Sequence, residues 1–242
     1  MARKLAGIKS SIGRLAVRLG VDRMLPPDDH VLFTHDLEFH EIYEHALRLS
    51  GSYDAKRRRP RNYNTISLLG LTRNLDGEVA EAGCYKGMSS LLICRYLQKQ
   101  DPNFTGKGFT VFDSFEGLSA PLAQDGGIGQ HEGQYASTME HVAATLSEFP
   151  EVTFRRGWIP DCFPEDKDIR YRFVHVDVDL YQPILDSLEY FWPRMTRGGI
   201  IVLDDYGSML FPGAKTAVDE FCEREAVPVA HLSTMNAFII KP

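Results

Sequence analysis

Between residues 76 and 242, short β-rich runs alternate with helical stretches, and this rhythm limits the fold more than any other feature. The runs are Glu78–Ala82, Gly108–Phe112, Val152–Arg156, Phe173–Val178 and Gly199–Leu203. The helical stretches are Met88–Gln98, Ser137–Phe149, Pro183–Trp192 and Gly213–Glu225. Such alternation predicts a parallel sheet covered by helices on both faces. Pro183 falls in a first helical turn, where proline sacrifices no hydrogen bond. Ser137-Thr-Met-Glu140 reads as a capping box with Glu140 reaching back. The last two runs, Val227–Leu232 and Ala237–Lys241, are joined by Ser233–Asn236. Four residues suit a hairpin, so this pair is predicted to be antiparallel. The expected class is α/β: five parallel strands plus a C-terminal antiparallel hairpin, with an N-terminal helical extension.

Two zones precede this domain. Residues 1–29 place Leu5, Ile8, Ile12, Leu15 and Leu19 on one helical stripe flanked by basic residues. A stripe so narrow suits a seam between helices, in this chain or in a homo-oligomer, better than a membrane surface. Residues 30–75 read as a helical lead-in: His35–Leu49, then leucine-rich Asn64–Arg73. Between them Lys56-Arg-Arg-Arg-Pro-Arg61 reads as a solvated loop, or as a holder for an anionic group. Residues 1–61 carry a balance of +4 and residues 62–242 one of −10. An acidic main domain argues against nucleic acid as a partner. No apolar run reaches the ~18 residues of a membrane-spanning helix. The N-terminus lacks a secretory pattern, and Cys84, Cys94, Cys162 and Cys222 form no C-x-x-C pair. A cytoplasmic protein without disulfides is therefore expected.

The first run ends in Glu81-Ala-Gly83-Cys-Tyr-Lys-Gly87, where glycines let a ligand approach the backbone. Tyr85 stands where a dinucleotide site needs its second glycine, which disfavours nicotinamide and flavin dinucleotides. S-adenosylmethionine has no phosphate, but needs carboxylates for its ammonium group and ribose hydroxyls. Glu81 stands at the strand tip, where the methionine part would lie. Asp113 ends the second run and can accept from both ribose hydroxyls. Gly157-Trp158 ends the third, where an adenine would pass.

The fourth and fifth runs end in His175-Val-Asp177-Val-Asp179 and Asp204-Asp205. As neighbouring parallel strands ~4.8 Å apart, they would bring these acids into one crevice. Carboxylates so close require a cation, and oxygen ligands suit Mg²⁺, Mn²⁺ or Ca²⁺. If the strand stays regular, alternation puts Asp177 and Asp179 on one side. His175 shares their parity and reads as a hydrogen-bonded core residue.

The series Glu81–Gly87, Asp113-Ser-Phe-Glu-Gly-Leu118, Gly157-Trp158 and Asp177-Val-Asp-Leu-Tyr181 continues with Pro193–Ile200, Asp204-Asp-Tyr206 and Pro212-Gly-Ala-Lys215. In this order the motifs resemble the macrocin O-methyltransferase family over residues 60–242. The strand layout is also that of class I methyltransferases. The resemblance implies S-adenosylmethionine, Mg²⁺ and a small-molecule sugar or glycoside acceptor. It implies Asp177, Asp204 and Asp205 as metal ligands and Asp179 as general base. The implied cofactor contacts are Glu81, Gly83, Gly87, Asp113, Ser114, Gly157 and Trp158. Two other readings stay open: a catechol-type phenolic O-methyltransferase, which would call for a lysine base near the fourth strand, and a non-catalytic glycan-binding protein. The loop Ser119–Tyr135, with Asp125-Gly-Gly-Ile-Gly129, reads as a cover that closes over substrate.

Overall fold

Seven strands make one sheet in the order β3-β2-β1-β4-β5-β7-β6. A computed structural model of the chain describes residues 36–55, 58–126 and 129–242. The striped arm of residues 1–29, with its predicted role in association, lies outside the described residues. The parallel strands are β1 (Glu78–Ala82), β2 (Phe109–Asp113), β3 (Thr153–Arg156), β4 (Tyr171–Val176) and β5 (Met195–Leu203). β6 (Ala230–His231) and β7 (Ala237–Ile240) form the antiparallel hairpin, with β7 inserted against β5. Helices α1 (Leu37–Ser50) and α2 (Arg58–Leu71) precede the sheet. Helices α3 (Met88–Gln100), α4 (Met139–Thr145), α5 (Tyr181–Phe191) and α6 (Pro212–Glu225) cover its two faces. Among the described residues, no helix is long and apolar enough to cross a membrane.

The strands form where β-branched and aromatic residues cluster, and both faces are buried, as a helix-covered parallel sheet requires. Phe109, Val111 and Phe112 of β2, Phe173 and Val174 of β4, and Ile201 and Val202 of β5 are fully enclosed. Phe191, Leu188, Phe221 and Val218 of α5 and α6 pack onto one face as part of the main core.

Several boundaries differ from the sequence reading, three of them for a clear local reason. The helix predicted over Ser137–Phe149 is the shorter α4, and its cap is Thr138, whose hydroxyl accepts from His141 N–H at 3.2 Å. Thr138 is one position later than the predicted cap, so a histidine rather than Glu140 stands three residues on. The run predicted to Val178 ends as a strand at Val176, and Asp179 adopts a left-handed backbone with φ +60°. The regular alternation expected between Asp177 and Asp179 is therefore broken by a turn. The basic run is not wholly loop: Arg58 to Arg61 open α2, and Arg61 is mostly buried.

Candidate active site

All the candidate residues but Gly87 lie at or just past a strand tip, and the tips are tied sideways by backbone hydrogen bonds. Gly157 N–H donates to Asp113 O (3.0 Å), Gly83 N–H to Phe112 O (2.8 Å), Asp177 N–H to Ala82 O (2.8 Å) and Asp204 N–H to Val176 O (3.0 Å). The sheet ladder thus continues one step beyond the strands and sets the spacing of the site. Gly83 is required here. Its φ is +80°, and a Cβ on it would stand 2.1 Å from Asp177 O.

Past these tips opens a concave cleft with apolar walls and a few polar groups, the form that a small-ligand site takes. Gly83, Asp113, Ser114, Gly157, Trp158, Asp177 and Asp179 all line it. Phe112, Leu118, Ile159 and Val178 supply apolar wall, and Tyr85 and Tyr135 meet edge to face at 5.7 Å. Trp158 is 37% exposed, so it belongs to the cleft and not to the core. Asp113 holds its turn through both oxygens: Oδ2 accepts from Cys84 N–H and Oδ1 from Phe115 N–H, each at 2.7 Å. A carboxylate offers about four acceptor positions, so two remain for a ligand's hydroxyls.

Two residues named from the sequence stand elsewhere. Glu81 is fully buried beneath the cleft and does not line it. It pairs in register with His175, so both side chains share one face of the sheet. There Glu81 accepts from Ser90 Oγ, and its Oε1 lies 2.8 Å from His175 Nδ1. Gly87 caps α3 at φ +77° and packs against Val142 and Thr145 of α4. It closes the turn without facing the cleft.

At the other end four carboxylates meet. Asp177, Asp179 and Asp205 each offer an oxygen within 4.8 Å of the others, and Asp177, Asp204 and His175 form a second such group. His175, given no ligand role from sequence, bridges the site. Its Nε2 lies 3.3 Å from Asp204 Oδ1. Arg61 supplies the second bridge. Its Nη1 reaches Asp204 Oδ2 at 2.9 Å and Asp205 Oδ1 at 3.4 Å. The only sequence signal for Arg61 was its place in a basic run.

These partners divide the acids. Burial pushes Asp204 up, but Arg61 and His175 outweigh it and hold its pKa at about 2. Burial and the charge of Asp177 raise Asp179 to about 7. Burial, with Asp204 and Asp205 beside it, raises Asp177 well above the carboxylate range. Asp205 is raised likewise by burial and Asp179. His175 loses some proton affinity to burial, yet its hydrogen bonds to Asp204 and Glu81 lift its pKa well above the ordinary value. One arginine and one imidazolium thus leave the cluster short of positive charge. That deficit, with three oxygens converging, fits a hard divalent cation.

The loop predicted as a hinged cover is pinned at both base and middle. Leu118 N–H donates to Gln134 O (2.8 Å) and Gly133 N–H to Leu118 O (2.9 Å). Buried Asp125 accepts from Leu122 N–H through Oδ2 and from Tyr181 N–H through Oδ1, each at 2.7 Å. The loop therefore holds the first turn of α5, two residues after Asp179.

The chain matches the Macrocin-O-methyltransferase (TylF) family over residues 56–239. It is 27% identical over 180 residues to 8-demethyl-8-(2,3-dimethoxy-alpha-L-rhamnosyl)-tetracenomycin-C 4'-O-methyltransferase of Streptomyces olivaceus, covering 69% of this chain and 67% of that one. Demethyldecarbamoylnovobiocin O-methyltransferase of Streptomyces niveus is 28% identical over 159 residues, covering 61% and 59%. The chain thus spans roughly two thirds or less of these relatives' lengths. The structure of the O-methyltransferase NovP superposes with TM-score 0.63 at 25% identity, covering 75% of this chain and 79% of that one. The calicheamicin methyltransferase CalS11 gives TM-score 0.68 at 16% identity, over 90% and 95%, and shares the fold. The sheet order is that of the class I methyltransferase fold. With the motif-bearing strand tips gathered around one cleft and the family match spanning most of the chain, this methyltransferase belongs to the macrocin O-methyltransferase (TylF) family.

Proposed function

We propose that the chain methylates a sugar hydroxyl, using S-adenosylmethionine as methyl donor and a divalent cation, Mg²⁺ foremost. The observation that carries this reading is that Asp113 and Asp179 line one apolar-walled cleft from opposite sides of Gly83. One acid suits the donor's ribose, and the other suits the acceptor's proton. The sugar as acceptor class rests on the printed activities of relatives, such as the rhamnosyl-tetracenomycin 4'-O-methyltransferase.

When bound, S-adenosylmethionine supplies an electrophilic methyl, and a divalent cation acidifies a coordinated hydroxyl. The chain's own residues do the rest. Asp113 accepts the ribose hydroxyls with its two remaining acceptor positions. Ser114, Gly157 and Trp158 border the same end, and Leu118 and Ile159 exclude water from it. Asp177 and Asp205 would hold the cation. Asp204 would join them only as Arg61 yields its oxygen. Asp179, with a pKa of about 7, is poised to take the hydroxyl proton on a carboxylate oxygen near neutral pH. Buried Glu81 acts through His175, which it orients toward Asp204.

The test is a methyl-transfer screen over purified sugars and glycosides with mass detection, with and without Mg²⁺. A product 14 Da heavier that disappears with chelator is the expected result. Full activity in chelator would refute the metal part, and methylation confined to non-sugar acceptors would refute the acceptor class.

A further inference from the structure

A second cavity shares Tyr85 and Asp177 with the cleft and is lined also by Ser52, Arg58, Asn62 and Lys86. Its lower wall holds His175 and Asp204, so it adjoins the proposed catalytic acids. Its cations differ from their neighbours. Arg59 is paired with Glu44 and Asp54, and Arg61 with Asp204 and Asp205. Arg58 instead donates to Tyr53 O, and Lys86 Nζ to Gly51 O at 3.1 Å. No carboxylate of the described residues forms an ion pair with either. Arg58 and Lys86 thus bring two cations without ion-pair partners to a cavity that Asp177 and Asp204 also line. The N-terminal turns of α2 and α3 reach the same space through Arg58 and through Met88 and Ser89. The first-turn amides of α3 add to the attraction for an anion.

The neighbours fix where such an anion would sit. The carboxylates on the floor repel it, and Arg58 and Lys86 attract it. A sugar that presents a hydroxyl toward Asp177 and Asp179 would carry its anionic group toward these cations. Two cations suit a phosphate ester, with about two negative charges near pH 7, better than a single carboxylate. We propose that this cavity binds a phosphate carried by the acceptor sugar, so that the acceptor is a sugar phosphate or a nucleoside diphosphate sugar and not a neutral glycoside. The proposal rests on the methyl-transfer reading for its orientation, but its binding test does not.

A hexose 1-phosphate, a nucleoside diphosphate hexose and a neutral methyl hexoside would each be titrated calorimetrically into the S-adenosylhomocysteine-loaded protein. No divalent cation is added, so that metal-bridged phosphate is not mistaken for the site. Both phosphorylated sugars should bind at least ~10-fold tighter than the neutral one, about the effect of one charge-assisted hydrogen bond. The tighter of the two names the source of the phosphate. Arg58→Gln and Lys86→Gln should each remove ~10-fold of that preference and lessen its salt dependence. Arg58→Lys, which keeps the charge, should retain most of it and guards against a variant that merely misfolds. Equal affinity for the neutral sugar, or unchanged affinities in both glutamine variants at unchanged Tm, would overturn the proposal. Methyl transfer to neutral glycosides alone would overturn it and leave the methyltransferase reading intact. Phosphate-dependent binding without methyl transfer to any sugar would uphold the site and sink the acceptor reading.

Discussion

The two halves of the cleft are built by opposite means. Around β1, β2 and β3 one carboxylate, Asp113, is fixed by backbone amides of its own turn and of the turn beside it. Aromatic and aliphatic side chains make up the rest. Past β4 and β5, four carboxylates crowd together and are held by side chains, His175 from within the sheet and Arg61 from α2, 144 residues before Asp205. The first half is set by local geometry. The second is a charge balance among distant parts of the chain, and is left with surplus negative charge. The difference separates binding from reaction: the backbone-set half suits a part of a ligand whose charge does not change, such as a ribose, and the charge-set half suits a proton transfer.

The widest separation is expected from Asp179→Asn. Its turnover should fall by ~10²–10⁴, the usual reach of a positioned base. Affinity for S-adenosylhomocysteine, measured by calorimetry, should stay within about twofold, because Asp113 and its turn are untouched. An active Asp179→Asn enzyme would leave another group as the base. Lost cofactor affinity would show that the two halves are one unit.

Arg61→Gln probes the charge balance itself. Removing one partner of a buried ion pair costs about 3–5 kcal/mol, because the other charge stays buried and unpaired. The metal-free variant should therefore melt well below the wild type. With Arg61 gone, both Asp204 and Asp205 are free for a cation. Mn²⁺ followed by electron paramagnetic resonance should bind about tenfold tighter, a shift of about 1.4 kcal/mol, and should raise the melting temperature more than in the wild type. Weaker Mn²⁺ binding would mean that Arg61 and the cation occupy the cluster together.

Asp113→Ala tests the opposite half. One charge-assisted hydrogen bond contributes about 1.5–3 kcal/mol, so S-adenosylhomocysteine affinity should fall by at least ~10-fold. Mn²⁺ binding should not change. Unchanged cofactor affinity would sink the ribose assignment.

The same contrast explains what could be read before the structure. Parallel strands, the antiparallel closing hairpin and the cleft position of Asp113, Gly157 and Trp158 follow from alternation and from turn residues, which act over a few positions. The sequence runs β4 too far because Val178 is β-branched and flanked by two acids of apparent period two. Only the left-handed turn at Asp179 shows that the strand has stopped. Glu81 departs from its expected place for a related reason. A strand tip has two faces, and nothing in the motif says that this one points at Ser90 and His175. Arg61 lies in a run that is usually solvated, and what buries it is an acidic pair at the far end of the chain. Asp125 was one acid in a glycine-rich loop, and its clasp on Tyr181 depends on Gly213. A side chain at Gly213 would place its Cβ 2.2 Å from Asp125 Oδ1.

The smallest expected effect is on stability, and it has a sign that activity measurements do not show. In the metal-free fold the pKa of Asp179 is raised to about 7 by burial and by Asp177. In the unfolded chain it is about 3.9. The folded state therefore binds the proton more tightly. That contribution is fully present below about pH 4 and is lost as pH rises through 7. Above neutrality the ionised Asp179 is a buried charge beside other negative charges, and the fold bears its cost. Asp179→Asn removes that charge and keeps the shape. Its melting temperature in chelator should exceed the wild type's at pH 8 by a few degrees, with ~2–4 °C expected per kcal/mol for a chain of this size. Solvent at the mouth of the cleft will screen part of the shift. The difference should shrink as pH falls and vanish only below about pH 4, where Asp179 is neutral in the folded and the unfolded chain alike. Saturating Mg²⁺ should reverse its sign at pH 8 if a cation sits among these acids, because the charge that costs stability in the empty cluster then gains a partner. A gain at pH 8 that Mg²⁺ leaves untouched would remove the cation from this half of the cleft.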